Sequence, residues 1–183
     1  MKPEIADSIP KSKLTLPAPG RDHIQGPKDA PIMLLEYGDY QCPYCGQAYP
    51  IVKEIQKRLG DRLCFAFRNF PLANAHPFAE HAAETAEAAG TRGAFWEMHD
   101  LLFENQDALD DDALAEYATA LNLDASGLIK EVVAGAHKPR VREDFRSGVR
   151  SGVNGTPTFF INGERYDGAP DVEELLAALT EKE

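Results

Sequence analysis

The chain has 183 residues, 43% of them hydrophobic, and its 30 acidic and 19 basic residues give a formal net charge of −11. This length and apolar content can bury one sizeable core, so we expect a single folded unit. The negative charge opposes contact with nucleic acid and anionic membrane surfaces, and no apolar run reaches the roughly 20 residues that cross a bilayer. We therefore expect no nucleic-acid partner and no membrane insertion.

Residues 1–30 are rich in proline and glycine and show little hydrophobic periodicity, which predicts an extended arm. We expect this arm to pack on its own domain or on a second copy, giving a monomer or an arm-mediated dimer. The first residues carry acidic side chains and a proline where a secretory signal has an unbroken apolar segment. A cytoplasmic protein is expected, or a periplasmic or extracellular one if the given start is engineered.

Residues 32–37 are apolar on both alternating faces except at Glu36, which is typical of a central strand covered on both sides. A carboxylate is costly to bury there and is usually paired or functional, with a raised pKa. We expect Glu36 to lie beneath the start of the next helix and to exchange a proton with Cys45. The alternative is a carboxylate at a strand end that reaches solvent.

Cys42 and Cys45 are separated by two residues and begin a helical pattern over residues 43–59. At a helix N-terminus, unpaired N–H groups and the helix dipole lower a thiol pKa, so Cys42 is the expected nucleophile, with a pKa in the lower half of the range of about 3.5 to 7.5. Cys45, one turn later, is expected to be less exposed and to resolve mixed disulfides. Half a zinc site is the alternative, but structural zinc needs four ligands and the chain adds only Cys64 and five scattered histidines. We therefore expect no metal.

The sequence after this helix predicts a second buried strand and then a long helical stretch. Cys64 lies in the strand and is expected to be a small core residue. Residues 72–150 are expected to be entirely helical, with Pro77 opening the first helix. In that helix the apolar periodicity places Phe78 towards the core and the glutamates, Glu84 and Glu87 among them, towards solvent.

The last part of the chain, residues 151–183, contains a hairpin signal. Asn162 and Gly163 form a two-residue turn signal between the short apolar runs 158–161 and 164–166, which predicts two paired antiparallel strands. A final amphipathic helix follows.

The CxxC helix, Glu36, and Thr156-Pro157 before a hairpin and a terminal helix together resemble the thioredoxin superfamily over about residues 22–182. The long helical stretch resembles specifically its DsbA-like branch. The resemblance implies an α/β fold, a thioredoxin fold with an inserted all-helical subdomain. Its parts are the arm 1–30, the first part of the thioredoxin fold at 31–71, the helical insertion at 72–150, and the second part at 151–183.

The resemblance also implies that Cys42 attacks, Cys45 resolves, Glu36 relays protons, and Pro157 is a cis-proline facing the cysteines. Thr156 would then present its main-chain N–H and C=O to an extended substrate beside the thiol. Pro43 and Tyr44, between the two cysteines, complete the expected substrate-binding residues.

The expected activity is a dithiol–disulfide oxidoreductase that acts on protein thiols or disulfides through Cys42 and Cys45, without a bound cofactor. This chain departs from the branch by having Tyr44 where a histidine is common and by lacking a visible export signal. Two alternatives remain open. One is a glutathione-coupled disulfide reductase of the same fold, which makes glutathione a further candidate partner, and the other is a redox-sensing module that binds peptides.

Overall fold

The computed structural model describes residues 14–182, so the first thirteen residues of the predicted arm lie outside the described residues. No helix within this range combines the length and the apolar character needed to cross a membrane. In chain order, the helices and strands of this range are β1 (His23–Gln25), β2 (Ile32–Gly38), α1 (Pro43–Leu59), β3 (Leu63–Asn69), α2 (Ala79–Gly90), α3 (Phe95–Glu104), α4 (Asp111–Ala120), α5 (Ala125–Val133), α6 (Lys138–Arg150), β4 (Thr158–Ile161), β5 (Glu164–Tyr166) and α7 (Val172–Thr180).

The five strands form one sheet in the order β1-β3-β2-β4-β5. β2 and β3 are parallel and are joined through α1, whereas the other neighbouring pairs are antiparallel. β2 therefore has a hydrogen-bonded neighbour on each side, as the apolar character of both its faces predicts. The fold is the expected α/β thioredoxin fold.

Both faces of the sheet are covered. On one face Ile32 and Leu34 of β2 pack in the same apolar cluster as Ile55 of α1. On the other face Leu35 and Tyr37 belong to a second, smaller cluster. Because side chains alternate along a strand, Glu36 shares the face of Ile32 and Leu34 and points to the α1 side.

The described part of the arm packs on its own domain. β1 is an edge strand, antiparallel to β3. The carboxylate of Asp22 accepts two hydrogen bonds from the guanidinium of Arg68, at 2.7 and 3.1 Å. Arg68 is fully buried and also donates to the hydroxyl of Tyr37 at 2.9 Å. The arm is thus fastened to the sheet on the face opposite α1.

The chain between β3 and β4 is occupied by the five helices α2 to α6, which confirms its helical character. α2 begins at Ala79, two residues after Pro77. The exact boundaries of the three parts of the domain stay predictions.

Two expectations about α2 are wrong. Phe78 is 43% exposed, whereas Glu84 and Glu87 are only 2% and 5% exposed. Glu87 accepts a hydrogen bond from the amide of Asn69 at 2.7 Å and is hydrogen-bonded to the ring of His23 at 2.9 Å. α2 packs against α6 as well as α3 and α5, so part of the face that periodicity assigns to solvent is covered, and there Glu87 has polar partners from distant segments.

The hairpin joining β4 and β5 forms as predicted. Asn162 and Gly163 both have positive φ, 48° and 87°, which suits the tight turns of two-residue hairpins. The Asn162 side chain also accepts a hydrogen bond from the Met33 N–H at 2.8 Å. This bond ties the turn to the start of β2.

Candidate active site

The turn between β2 and α1 places Cys42 at the helix N-terminus. Cys42 is the N-cap residue of α1, and Pro43 occupies the first helical turn, where a missing N–H removes no helical hydrogen bond. The N–H of Cys42 donates to the carbonyl of Asp39 at 3.1 Å. The carboxylate of Asp39 accepts from the N–H of Gln41 at 2.8 Å, which closes the turn.

The segment before β4 meets Cys42 from the other side. The Cys42 thiol donates to the carbonyl of Thr156, with 3.5 Å between Sγ and O. The peptide bond between Thr156 and Pro157 is cis. The hydroxyl oxygen of Thr156 is buried and has no hydrogen-bond partner within residues 14–182.

The surroundings of Cys42 favour its thiolate. A hydrogen bond from the Cys45 thiol is the largest cause that lowers its pKa, and burial acts in the opposite direction. The thiolate can also accept from the side-chain hydroxyl of Thr156, which is bonded to no described residue while Cys42 is a thiol, and from the N–H groups of Cys45 and Tyr44. These donors lower the pKa further, so that the pKa of Cys42 is about 5. This value lies in the lower half of the range expected from the sequence.

Cys45 has the opposite environment. It is completely buried, and its sulfur accepts a hydrogen bond from the N–H of Asp39 at 3.4 Å. Burial, the hydrogen bond to Cys42 and the negative charges of Glu36 and Cys42 hold the pKa of Cys45 well above its usual value. The two thiols therefore have pKa values shifted in opposite directions.

Glu36 lies beneath this pair and is 2% exposed, so it does not reach solvent as a strand-end carboxylate would. Burial, and then the charge of Cys42, raise the pKa of Glu36 to about 8. Its Oε1 atom has no hydrogen-bond partner in the part of the chain that the structure describes. A carboxyl group with these properties is protonated at neutral pH and can give or take a proton nearby.

Cys42 is only 4% exposed, and exposed apolar side chains lie next to it in the chain. Tyr44 is 67% exposed, Pro43 is also exposed, and Pro157 is half-buried. Phe78, whose N–H donates to the side chain of Gln41 at 2.8 Å, adds a further exposed ring. Exposed apolar side chains thus stand in the CxxC segment and at a residue bonded to Gln41, next to Cys42 in the chain.

Cys64 plays no part in this arrangement. It is fully buried in β3, and burial raises the pKa of its thiol. The prediction of a core residue is confirmed. Among the described residues, no group of three or more His, Cys, Asp or Glu side chains is arranged to hold a metal ion.

Sequence reasoning missed two residues that contact the CxxC segment. Asp39 accepts hydrogen bonds at one oxygen from the N–H of Leu72 at 2.9 Å and from the ring of His76 at 2.7 Å. An Asp in a turn before a helix is a common capping residue, so the sequence held a signal for it. Gln106 reaches the same segment from the helical insertion, and nothing in the sequence pattern marks it.

The chain and its fold have counterparts in known proteins. A family model described as Thioredoxin matches residues 19–181. The oxidised crystal structure of BdbD from Bacillus subtilis is similar with a TM-score of 0.80 at 24% identity, covering 91% of this chain and 95% of that one. The thiol-disulfide exchange protein alpha-DsbA2 from Wolbachia pipientis is similar with a TM-score of 0.74 at 16% identity, covering 88% and 87%.

A relative of higher identity is the Na(+)/H(+) antiporter NhaA 1 of Salinispora arenicola (strain CNS-205). It is 46% identical over 162 residues, which cover 88% of this chain and 25% of that protein. The chain spans about a quarter of the length of the curated relatives it matches. From the family match and the shared architecture, the chain belongs to the thioredoxin family and has the fold of its DsbA-like members.

Proposed function

We propose that the protein is a dithiol–disulfide oxidoreductase that exchanges disulfides with protein substrates through Cys42 and Cys45. The observation that carries the proposal is the thiol pair at the start of α1, with Cys42 at the N-cap and Cys45 completely buried. This placement lowers the pKa of Cys42 to about 5 and holds that of Cys45 well above its usual value. A thiol with a low pKa is a good leaving group and is ionised at neutral pH. A buried thiol with a high pKa stays protonated until it resolves a mixed disulfide. No purely structural role requires this asymmetry.

In the oxidising direction, a substrate thiolate attacks Sγ of Cys42 in the Cys42–Cys45 disulfide. A mixed disulfide forms, and Cys45 leaves as a thiolate that takes a proton from the protonated carboxyl of Glu36. A second substrate thiolate then attacks the substrate sulfur, and Cys42 leaves as a thiolate. Two substrate thiols are oxidised to a disulfide, and two electrons reduce the enzyme pair.

The contacts around the thiol favour protein substrates. An extended peptide can donate a main-chain N–H to the carbonyl of Thr156 in the manner of an added strand. That carbonyl lies 3.5 Å from Sγ of Cys42, so the docked chain would present its sulfur at the nucleophile. The exposed rings of Tyr44 and Phe78 offer apolar contacts without specifying one sequence.

The names of the relatives bear on the proposal in different ways. The description of alpha-DsbA2 as a thiol-disulfide exchange protein supports it. The ion transport in the name of the Salinispora relative is not part of the proposal, because this chain matches a quarter of that protein and its site carries thiol chemistry. The cytoplasmic location and the choice between a monomer and an arm-mediated dimer stay predictions.

The test is to mix the oxidised protein with a reduced peptide that contains two cysteines, and to follow the peptide disulfide by mass spectrometry. We expect stoichiometric transfer by the wild type and by Cys64→Ala, and none by Cys42→Ser. No transfer by the wild type would contradict the proposal and favour a redox-sensing peptide-binding module.

A second arm of the experiment addresses the alternative reductase. The oxidised protein is incubated with reduced glutathione alone, and the Cys42–Cys45 dithiol is quantified by alkylation. We expect slow regeneration compared with the transfer to the peptide. Regeneration faster than that transfer would assign the protein to glutathione-coupled reduction.

A further inference from the structure

One side chain of the helical insertion reaches the backbone of the CxxC segment. Gln106 lies in the turn between α3 and α4. Its Nε2 donates to the carbonyl of Tyr40 at 2.8 Å and to the carbonyl of Cys42 at 2.9 Å. A primary amide has two N–H groups on this nitrogen, so both of them are used on the segment that carries the nucleophile.

Gly46 makes room for this contact. A Cβ atom added at Gly46 would lie 2.0 Å from Oε1 of Gln106. Gly46 lies within α1 and its N–H donates to the carbonyl of Cys42 at 3.1 Å. Glycine is unfavourable inside a helix. Its presence at position 46 is explained by the space that the amide of Gln106 needs beside α1.

We propose that Gln106 is a positioning residue for the nucleophile, which acts by holding the carbonyls of Tyr40 and Cys42, and that Gly46 is its required partner. The inference rests on the proposed role of Cys42. It places a determinant of thiol reactivity in the helical insertion, outside the thioredoxin fold proper.

The physical reason is the geometry of the N-cap. The thiolate of Cys42 is stabilised first by the thiol of Cys45, then by the side chain of Thr156, and also by the N–H groups of Cys45 and Tyr44 in the first turn of α1. These N–H groups can point at the sulfur only if the backbone of Cys42 keeps its orientation. Gln106 holds that orientation from the carbonyl side, because the carbonyl of Cys42 accepts from both Gln106 and Gly46.

The first experiment compares Gln106→Met, which keeps the length of the side chain and removes both donors, with the wild type. We expect the Cys42 pKa, followed by thiolate absorbance, to rise by about half a unit or more, which at pH 5 lowers the thiolate fraction by roughly twofold and at pH 8 leaves it unchanged. Asn105→Ala is the matched control, because its amide bonds within its own helix to Leu101. An unchanged Cys42 pKa in Gln106→Met would overturn the proposal.

The second experiment uses the sign of the effect of Gly46→Ala. In the wild type, the new methyl group should displace Gln106, raise the Cys42 pKa and lower the melting temperature. In a Gln106→Ala background, the same change should raise the melting temperature, since alanine favours the helix and the space is free. A stabilising Gly46→Ala with an unchanged Cys42 pKa in the wild-type background would overturn the proposal.

A third measurement uses the wild type alone, so it does not depend on whether a variant folds. In NMR spectra of the wild type, the side-chain amide of Gln106 should shift with the titration of Cys42 near pH 5, whereas that of Gln56, which donates to Gln25, should not. A Gln106 amide that does not respond would overturn the proposal. Failure of disulfide transfer with an intact Gln106 response would instead count against the proposed function alone.

Discussion

The thiol of Cys42 donates a hydrogen bond to the main-chain carbonyl of Thr156 over 3.5 Å, although the two residues are 114 positions apart in the chain. The contact joins the start of α1 to the segment that leads into β4. It brings the nucleophile and the main-chain group that can hold a substrate peptide to one place. In the proposed function, the thiol chemistry and the binding of an extended substrate would therefore take place side by side.

Replacing Cys45 by serine should trap substrates. Cys45→Ser replaces the thiol that donates to Cys42 by a hydroxyl that can also donate, so Cys42 stays a nucleophile, but the variant lacks the thiol that resolves a mixed disulfide. Mixed disulfides with oxidised substrate proteins should accumulate and be visible by non-reducing electrophoresis. Cys42→Ser should trap nothing, and equal trapping by both variants would contradict the assignment of roles.

Cys64→Ala should keep its activity because that thiol is buried in the core.

The lowered pKa of Cys42 should make the relative stability of the two redox forms depend on pH. The folded pKa of about 5 lies below that of an unfolded thiol. Ionisation therefore stabilises the reduced form by about 1.4 kcal/mol for each unit by which the folded pKa lies below the unfolded one. This corresponds to roughly 30 mV in the reduction potential of the two-electron couple. This stabilisation is full above a pH of about 8.5, declines below it, and is lost as the pH falls through the folded value near 5.

Melting curves of both redox forms test this linkage. At pH 7 the reduced form should melt no lower than the oxidised form, and any advantage should shrink as the pH approaches 5. Thiolate absorbance should report a Cys42 pKa of about 5. A measured pKa near 8 together with a clearly more stable oxidised form would identify a reductase instead.

Glu36→Gln should stabilise the protein increasingly as the pH rises. The folded pKa of Glu36 is raised from 4.5 to about 8, so the wild type loses stability relative to the neutral amide as the pH rises from about 4.5 through 8, on the order of 3 kcal/mol by pH 7. The rate of Cys45 proton exchange should fall in the variant, because the relay is gone. Urea unfolding between pH 5 and 8 and disulfide-exchange rates between pH 6 and 8 measure both effects.

The control for this prediction is Glu54→Gln, a change to a partly exposed carboxylate on α1 that pairs with Arg58. Its stability difference from the wild type should not grow with pH over the same range. Exchange rates in Glu36→Gln equal to those of the wild type at every pH would remove Glu36 from the mechanism.

Arg68→Met should destabilise the fold strongly. The guanidinium is fully buried and is the buried partner of the carboxylate of Asp22. The substitution leaves that carboxylate with Arg21, whose side chain is 25% exposed, and the N–H of Ala18, so we expect a loss near the lower end of the range of about 3 to 5 kcal/mol for a broken buried pair. Adding Asp22→Asn should recover much of the loss. Chemical unfolding measures both variants, and a loss below about 1 kcal/mol for Arg68→Met would show that the pair does not hold the arm in place.

Local pattern in the sequence was enough to predict several elements of the site. The spacing of Cys42 and Cys45 after an apolar strand predicts a nucleophile at a helix N-terminus, because helix capping depends on neighbouring residues. The hairpin at Asn162 was predictable for the same reason. A two-residue turn needs positive φ angles, and Asn and Gly are the residues that adopt them readily. Glu36 was identified because a carboxylate among apolar residues breaks a short pattern.

Burial and long-range contact were decided by the tertiary structure. Glu84 and Glu87 follow the period of a solvent-facing stripe, yet they are buried because α6 and the edge of the sheet cover a second face of α2. Gln106 reaches the carbonyl of Cys42 from 64 positions away. The sequence by itself determined which residues carry the thiol chemistry, because that depends on spacing and local backbone, whereas only the packing of distant segments decided what surrounds them and sets their pKa values.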